Sequence, residues 1–141
     1  MKKILILVVV LMLPSLGACH SLGGKYLAGD WISISLSKQY VQEDPRSARN
    51  FRKHKGVERL YKRLLNKFSR YRIRRSLKFD VLITDYYVGP GRDRLVADVI
   101  VTEHGEEVEQ FVIEETTGLH PIVKRLTRGM AKKITKKARY L

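Results

Sequence analysis

The chain carries a single cysteine, Cys19, among 141 residues. That excludes an internal disulfide framework and any thiolate cluster for zinc or iron–sulfur. Catalytic signatures are equally scarce. His20, His54, His104 and His120 are scattered along the chain with no HExxH or other ligand spacing, so they read as surface histidines. The "GPG" at Gly89–Gly91 precedes no helix start and no GK[ST], which makes it a turn rather than a phosphate loop. Ser33, Ser35 and Ser37 alternate without a glycine-flanked nucleophile elbow. No metal or cofactor is expected, and the chain is not read as an enzyme. The longest apolar run, Ile4 to Leu13, is ten residues. At 1.5 Å per residue it covers about half of a ~30 Å hydrocarbon core, too little for a stable spanning helix.

Cations are abundant. The 28 Lys and Arg against 14 Asp and Glu give +14, a basicity that fits a polyanionic partner such as nucleic acid, anionic lipid or acidic polysaccharide. The charge is segregated along the chain. Residues 38–78 hold 15 basic and 3 acidic residues (+12), residues 79–120 hold 2 and 10 (−8), and residues 121–141 hold 8 and none (+8).

The N-terminus has the layout of an export signal: Met1-Lys2-Lys3, the apolar run, then Pro14 and small residues. At Leu16-Gly17-Ala18-Cys19 it resembles the lipobox of bacterial lipoproteins. Leu16 is too large for the third position before an ordinary signal peptidase cut, and leucine is what a lipobox has there. The resemblance covers the first 19 residues. It implies that Leu16, Gly17 and Ala18 are read by the processing peptidase, and that Cys19 carries a diacylglyceryl group as the first mature residue. One acyl chain anchors marginally, whereas two or three hold firmly. His20 is not the Asp that retains many such proteins in the inner membrane, which by family analogy favours the outer membrane, facing the periplasm. The expected organisation is a signal peptide over 1–18, a lipidated cysteine and flexible tether over 19–29, and one domain over 30–141.

Within that domain, Asp30–Ser37 reads as a strand and "SKQYVQEDP" as a turn. From Arg46 to about Arg70, Val57, Leu60, Tyr61, Leu64, Leu65 and Phe68 form one apolar helix stripe, with Gly56 a candidate break. Arg52, Lys55, Arg59, Lys62, Arg63 and Arg70 fall on the opposite side. Phe79–Val88, Arg94–Glu103 and Glu107–Glu115 read as a three-stranded meander, and "YRIRRS" is a candidate extension of its first strand. A closing helix after Pro121 buries Ile122, Val123, Leu126, Met130 and Ile134 and exposes Lys124, Arg125, Arg128, Lys132, Lys136 and Arg139. The order β-α-β-β-β-α predicts an α+β two-layer sandwich: an antiparallel sheet of about four strands with two amphipathic basic helices on one face. The strands Val81–Asp85 and Ala97–Val101 also resemble those of small envelope lipoproteins, a likeness that transfers no functional residue.

The reading that follows is a lipid-anchored envelope module without catalysis, whose basic helix faces meet an anionic partner: lipid, lipopolysaccharide, cell-wall polymer or acidic protein. Two alternatives come from other classes. One is a soluble nucleic-acid-binding protein whose N-terminus is misread, with Tyr40, Tyr61 and Tyr71 as stacking candidates. The other is a periplasmic hydrolase that pairs two of Asp80, Asp85 and Asp98 as acid and base.

Overall fold

The structure, a computed structural model, describes residues 26–29 and 31–141, the side chains of 26–28 excepted. Leu16, Gly17, Ala18, Cys19 and His20, and with them the lipobox and the tether as far as residue 25, lie outside the described residues, while Tyr26–Ala28, expected as the end of the flexible tether, is a strand of the sheet. The elements are β1 (Tyr26–Ala28), β2 (Ile32–Leu36), α1 (Lys38–Glu43), α2 (Pro45–Lys53), α3 (Gly56–Arg70), β3 (Leu77–Tyr87), β4 (Asp93–Glu103), β5 (Glu106–Thr117) and α4 (Ile122–Ala138). The predicted α+β sandwich is present, with one sheet in the order β1-β2-β3-β4-β5.

The sheet is mixed rather than antiparallel. β3, β4 and β5 form the antiparallel meander, but β2 runs parallel to β3, with Ile32 opposite Phe79 and Leu36 opposite Ile83. The cause is the connection. Three helices lie between β2 and β3, long enough to return the chain to the end where β2 began, as a parallel pairing requires. β1 then pairs antiparallel with β2, Tyr26 opposite Ser35, as a short outer strand. Between β4 and β5, His104 and Gly105 both take positive φ, 52° and 82°, as a two-residue hairpin turn demands.

Where a turn and one long helix were expected, the structure has three helices. Ser37 starts α1 by accepting from the Tyr40 amide at 3.4 Å, and Tyr40 is buried, so "SKQYVQE" winds up instead of turning. Asp44 caps α2 by accepting from the Ser47 amide at 3.1 Å, with Pro45 in the first turn. The break at Gly56 is present. Lys55 adopts left-handed geometry (φ 57°), and a Cβ on Gly56 would sit 2.3 Å from the Phe51 ring. "YRIRRS" is not strand. Arg72 takes φ 53°, and the Ile73 amide donates to Phe68 O at 3.1 Å while that of Arg72 donates to Ser69 O, a left-handed helix cap that turns Ile73 into the core.

The inward positions of β3 and β4, from Leu77 to Ile83 and from Leu95 to Val101, are buried under the helices. α3 packs over β1 and β2 and α4 over β4 and β5, while the two helices pack on each other. Phe68 sits at the centre, edge-on to Trp31 (5.4 Å) and Phe79 (4.7 Å). The α3 stripe is buried as expected at Val57, Leu60, Leu64 and Phe68, but Leu65 is 38 % exposed. At 100° per residue it stands about 80° round from Val57, at the margin of the stripe. Along α4, Val123, Leu126, Met130 and Ile134 are buried and Ile122 half-buried. Thr127 and Thr135 are also buried, each returning its hydroxyl to the carbonyl four residues back, Val123 O at 2.8 Å and Ala131 O at 2.7 Å.

Candidate basic surface and end cleft

Both helices present cations because their apolar stripes are consumed by the sheet and by each other. They run in the same direction. His54 and Arg59 share a cleft with Pro121–Lys124 near the helix starts, and at the far end the Arg139 guanidinium lies 4.8 Å above the Tyr71 ring. Between these points Arg63 faces Arg128. The Arg63 pKa is lowered from its usual value, by partial burial first and then by the positive charges of Arg128 and Arg59.

Of the twelve expected binding cations, Lys55, Arg59, Lys62, Arg70, Lys124, Arg125, Arg128, Lys132, Lys136 and Arg139 are exposed, and Arg52 and Arg63 are half-buried. Arg52 belongs to α2, not to the α3–α4 pair, and its Nε is buried without a hydrogen-bond partner. Arg59 and Arg125 each donate Nε to a backbone carbonyl, of His54 and His120 respectively, both at 3.0 Å. Those bonds aim the guanidinium groups without neutralising them. The ion pairs Arg74–Glu103 (3.3 Å), Arg94–Asp85 (2.7 Å) and Lys133–Glu115 (3.3 Å) all draw on other cations.

Several acidic residues of the sheet are engaged, while Glu106, Glu107 and Glu114 are exposed. Asp85 takes Nε and Nη2 of Arg94, at 3.1 and 2.7 Å, and raises the pKa of that guanidinium. Asp80 accepts from the Ser33 hydroxyl, and Asp98 accepts from Gln110 Nε2 at 3.2 Å. Register places Asp80 opposite Ile100 and Asp98 opposite Leu82, so these two are diagonal neighbours with separate partners. The Glu103 pKa is lowered, first by the hydrogen bond from Ser76 and also by Arg74. No group of three or more His, Asp or Glu among the described residues is arranged to hold a metal ion.

Of the stacking candidates, Tyr71 is exposed and lies under Arg139, Tyr61 is half-buried against the core, and Tyr40 is buried with its hydroxyl 2.8 Å from Ser47 Oγ. Burial pushes the phenols of Tyr40 and Tyr86 up to about 12.

The structure also assembles a site that sequence reasoning missed. Two adjoining clefts of about 620 and 460 Å³ open at the end of the sandwich where β3 finishes and α4 starts, and they share Asn50, Tyr86 and Val88. Arg46, Arg49 and Lys53 on α2 line the first, and Arg59 and Lys124 line the second together with His54 and His120. Two histidines more than sixty residues apart thus meet in one place. The signal was present in the i, i+3, i+4 and i+7 spacing of Arg46, Arg49, Asn50 and Lys53, which puts them on one face of α2.

No protein-family model matches the chain, and no curated protein matches it. Among solved structures, a candidate lipoprotein from Caulobacter crescentus CB15 is similar over 60 % of this chain and 81 % of its own, at 15 % identity and a TM-score of 0.44.

Proposed function

We propose that this chain is a lipid-anchored module of a bacterial envelope, held through Cys19, whose paired helices α3 and α4 bind an anionic envelope component without catalysing a reaction. The observation that carries the reading is the set of exposed cations, Arg59, Lys62, Arg70, Lys124, Arg128 and Lys132 among them, on two helices that pack on each other. Such an arrangement raises the free energy of the unliganded surface, and a polyanion laid along the helix pair relieves it. The anchor rests on the Leu16-Gly17-Ala18-Cys19 resemblance. It would keep the domain near anionic head groups, where each added cation strengthens attachment within a Debye length of about 8–10 Å.

Two measurements test this reading. Intact-mass spectrometry of protein recovered from bacterial membranes is expected to give a chain beginning at Cys19 and heavier by a diacylglyceryl group. A full-length, unmodified mass in the soluble fraction would overturn the anchor and bring nucleic acid forward. Retention on immobilised dextran sulfate tests the surface: Arg63→Gln with Arg128→Gln is expected to elute at clearly lower salt than the parent chain. Unchanged retention would remove the helix pair from the binding surface.

A further inference from the structure

We infer that the end cleft is the membrane-facing site of this protein and takes the phosphate of an anionic lipid head group. The inference rests on the anchored-module reading and adds which end of the domain meets the bilayer and which residues receive the lipid.

The first observation is the point at which the chain enters the sheet. β1 pairs antiparallel with β2 so that Tyr26 stands opposite Ser35, near the end of β2, and β2 in turn places Leu36 beside Ile83 on β3. β1 therefore begins level with Leu82, midway along β3, and runs away from the end at which β3 continues to Tyr86 and Val88, which are cleft residues. Six residues separate Cys19 from Tyr26, and the seven Cα–Cα steps fully extended reach no more than about 25 Å. The β4–β5 turn at His104 and Gly105 lies at the other end, since Glu103 pairs with Leu77 at the start of β3. Along β3 the two ends are about 30–35 Å apart. From Tyr26, level with Leu82, the cleft end lies about 20 Å along the sheet, within reach of an anchor at Cys19.

The second observation is the chemistry of the cleft. Arg46, Arg49 and Lys53 project from successive turns of α2, and Arg59 and Lys124 close the adjoining side. Asp44 is the carboxylate among the lining residues, and its side chain already accepts from the Ser47 amide. Tyr86 and Val88 supply an apolar floor, with Val88 45 % exposed. Guanidinium groups offer paired donors that match phosphate oxygens, while the apolar floor suits the glycerol and first methylenes beneath a head group. Free phosphate would satisfy the cations but leave that floor wet.

The test uses the full lipidated chain with a fluorophore at Val88→Cys or, at the opposite end, at Val108→Cys. The protein is reconstituted into phosphatidylcholine vesicles with or without phosphatidylglycerol, each containing a lipid with a quencher on its head group. The expected result is quenching at Val88 and not at Val108, deepened by phosphatidylglycerol. Arg49→Glu with Lys53→Glu returns it to the phosphatidylcholine level, and Lys78→Glu, at the opposite end of β3, leaves it in place. Equal quenching at the two ends, or indifference of Val88 to phosphatidylglycerol or to the α2 reversal, would overturn the proposal. Inorganic phosphate separates the two sources of the ligand. Loss of Val88 quenching in phosphate, but not in sodium chloride of matched ionic strength, would assign the cleft to a soluble phosphate and overturn membrane docking. Flotation with phosphatidylcholine vesicles reports the anchor separately. Should it fail, the Cys19 reading falls, and sedimentation with phosphatidylglycerol vesicles still decides the cleft. The α2 reversal is then expected to weaken sedimentation by at least ~25-fold, from roughly fivefold for each of the two cations lost, and no change would overturn the site.

Discussion

The sheet and the helix layer carry charge in opposite ways, and the difference goes beyond sign. Acidic side chains on the sheet have partners of their own: Asp85 with Arg94, Glu103 with Ser76 and Arg74, Glu115 with Lys133, Asp98 with Gln110. On the helices, Arg63 and Arg128 have each other. A carboxylate whose hydrogen bonds are filled has little left to offer a ligand, whereas an exposed guanidinium with free donors is available. The sheet's charge is structural, and that of the helices is open to a partner.

The largest expected effect comes from removing what holds the two regions together. Phe68 is fully buried between the helix layer and the sheet, so Phe68→Ala is expected to cost about 3–5 kcal/mol in a denaturant titration. The same variant should lose dextran sulfate retention as α3 leaves the sheet. A loss of stability with retention intact would show that binding does not need the helix pair in register. Next is the N-cap of α2: Asp44→Ala is expected to cost about 1 kcal/mol and to weaken the cleft, because α2 carries Arg46, Arg49 and Lys53.

The contrast between paired acids and unpaired cations predicts smaller effects of opposite sign. Glu115→Gln removes the partner of Lys133 and is expected to destabilise by about 0.2–1 kcal/mol. Arg128→Gln is expected to be neutral in moderate salt and stabilising in low salt, where repulsion from Arg63 is least screened. If Arg128→Gln destabilised as much as Glu115→Gln, the distinction between the two regions would collapse.

The acid and alkaline limbs of stability are controlled by different groups. Because the Glu103 pKa is lowered in the fold, its contribution is complete above the ordinary carboxylate range and disappears as pH falls through the folded value. Ser76→Ala should flatten that acid limb. Tyr40 and Tyr86 behave inversely. Their pKa values rise from 10.0 to about 12, so their contribution is complete below pH 10 and is lost as pH climbs toward 12. Tyrosinate absorbance during alkaline unfolding should show two late-titrating phenols, one of them missing in Tyr40→Phe.

Much of this fold could be read from periodicity. Burial alternates along β3 as far as Ile83 and along β4 because one face is covered and the other is not, and α3 and α4 repeat at helical spacing for the same reason. Their cations were legible too, since a stripe that buries one side of a helix leaves the other to charge. The parallel pairing of β2 with β3 was not. Pairing direction depends on where a crossover delivers the chain, and no residue of Ile32–Leu36 records it. The short α1 was hidden because it depends on one cap, Ser37, and one buried tyrosine, Tyr40. The end cleft escaped for a related reason: Arg49 and Lys124 lie 75 positions apart, and only the sheet makes their helices start at the same end.

By itself, then, the sequence determined the α+β class, the two amphipathic helices and the segregation of charge, because each follows from side-chain pattern within one element. Tertiary structure alone decided that Arg63 comes under the charge of Arg128, that His54 and His120 line one cleft, and that β1 pairs with the end of β2. Those are relations between elements, set by strand register and helix packing, and they come into being only when the elements share a core.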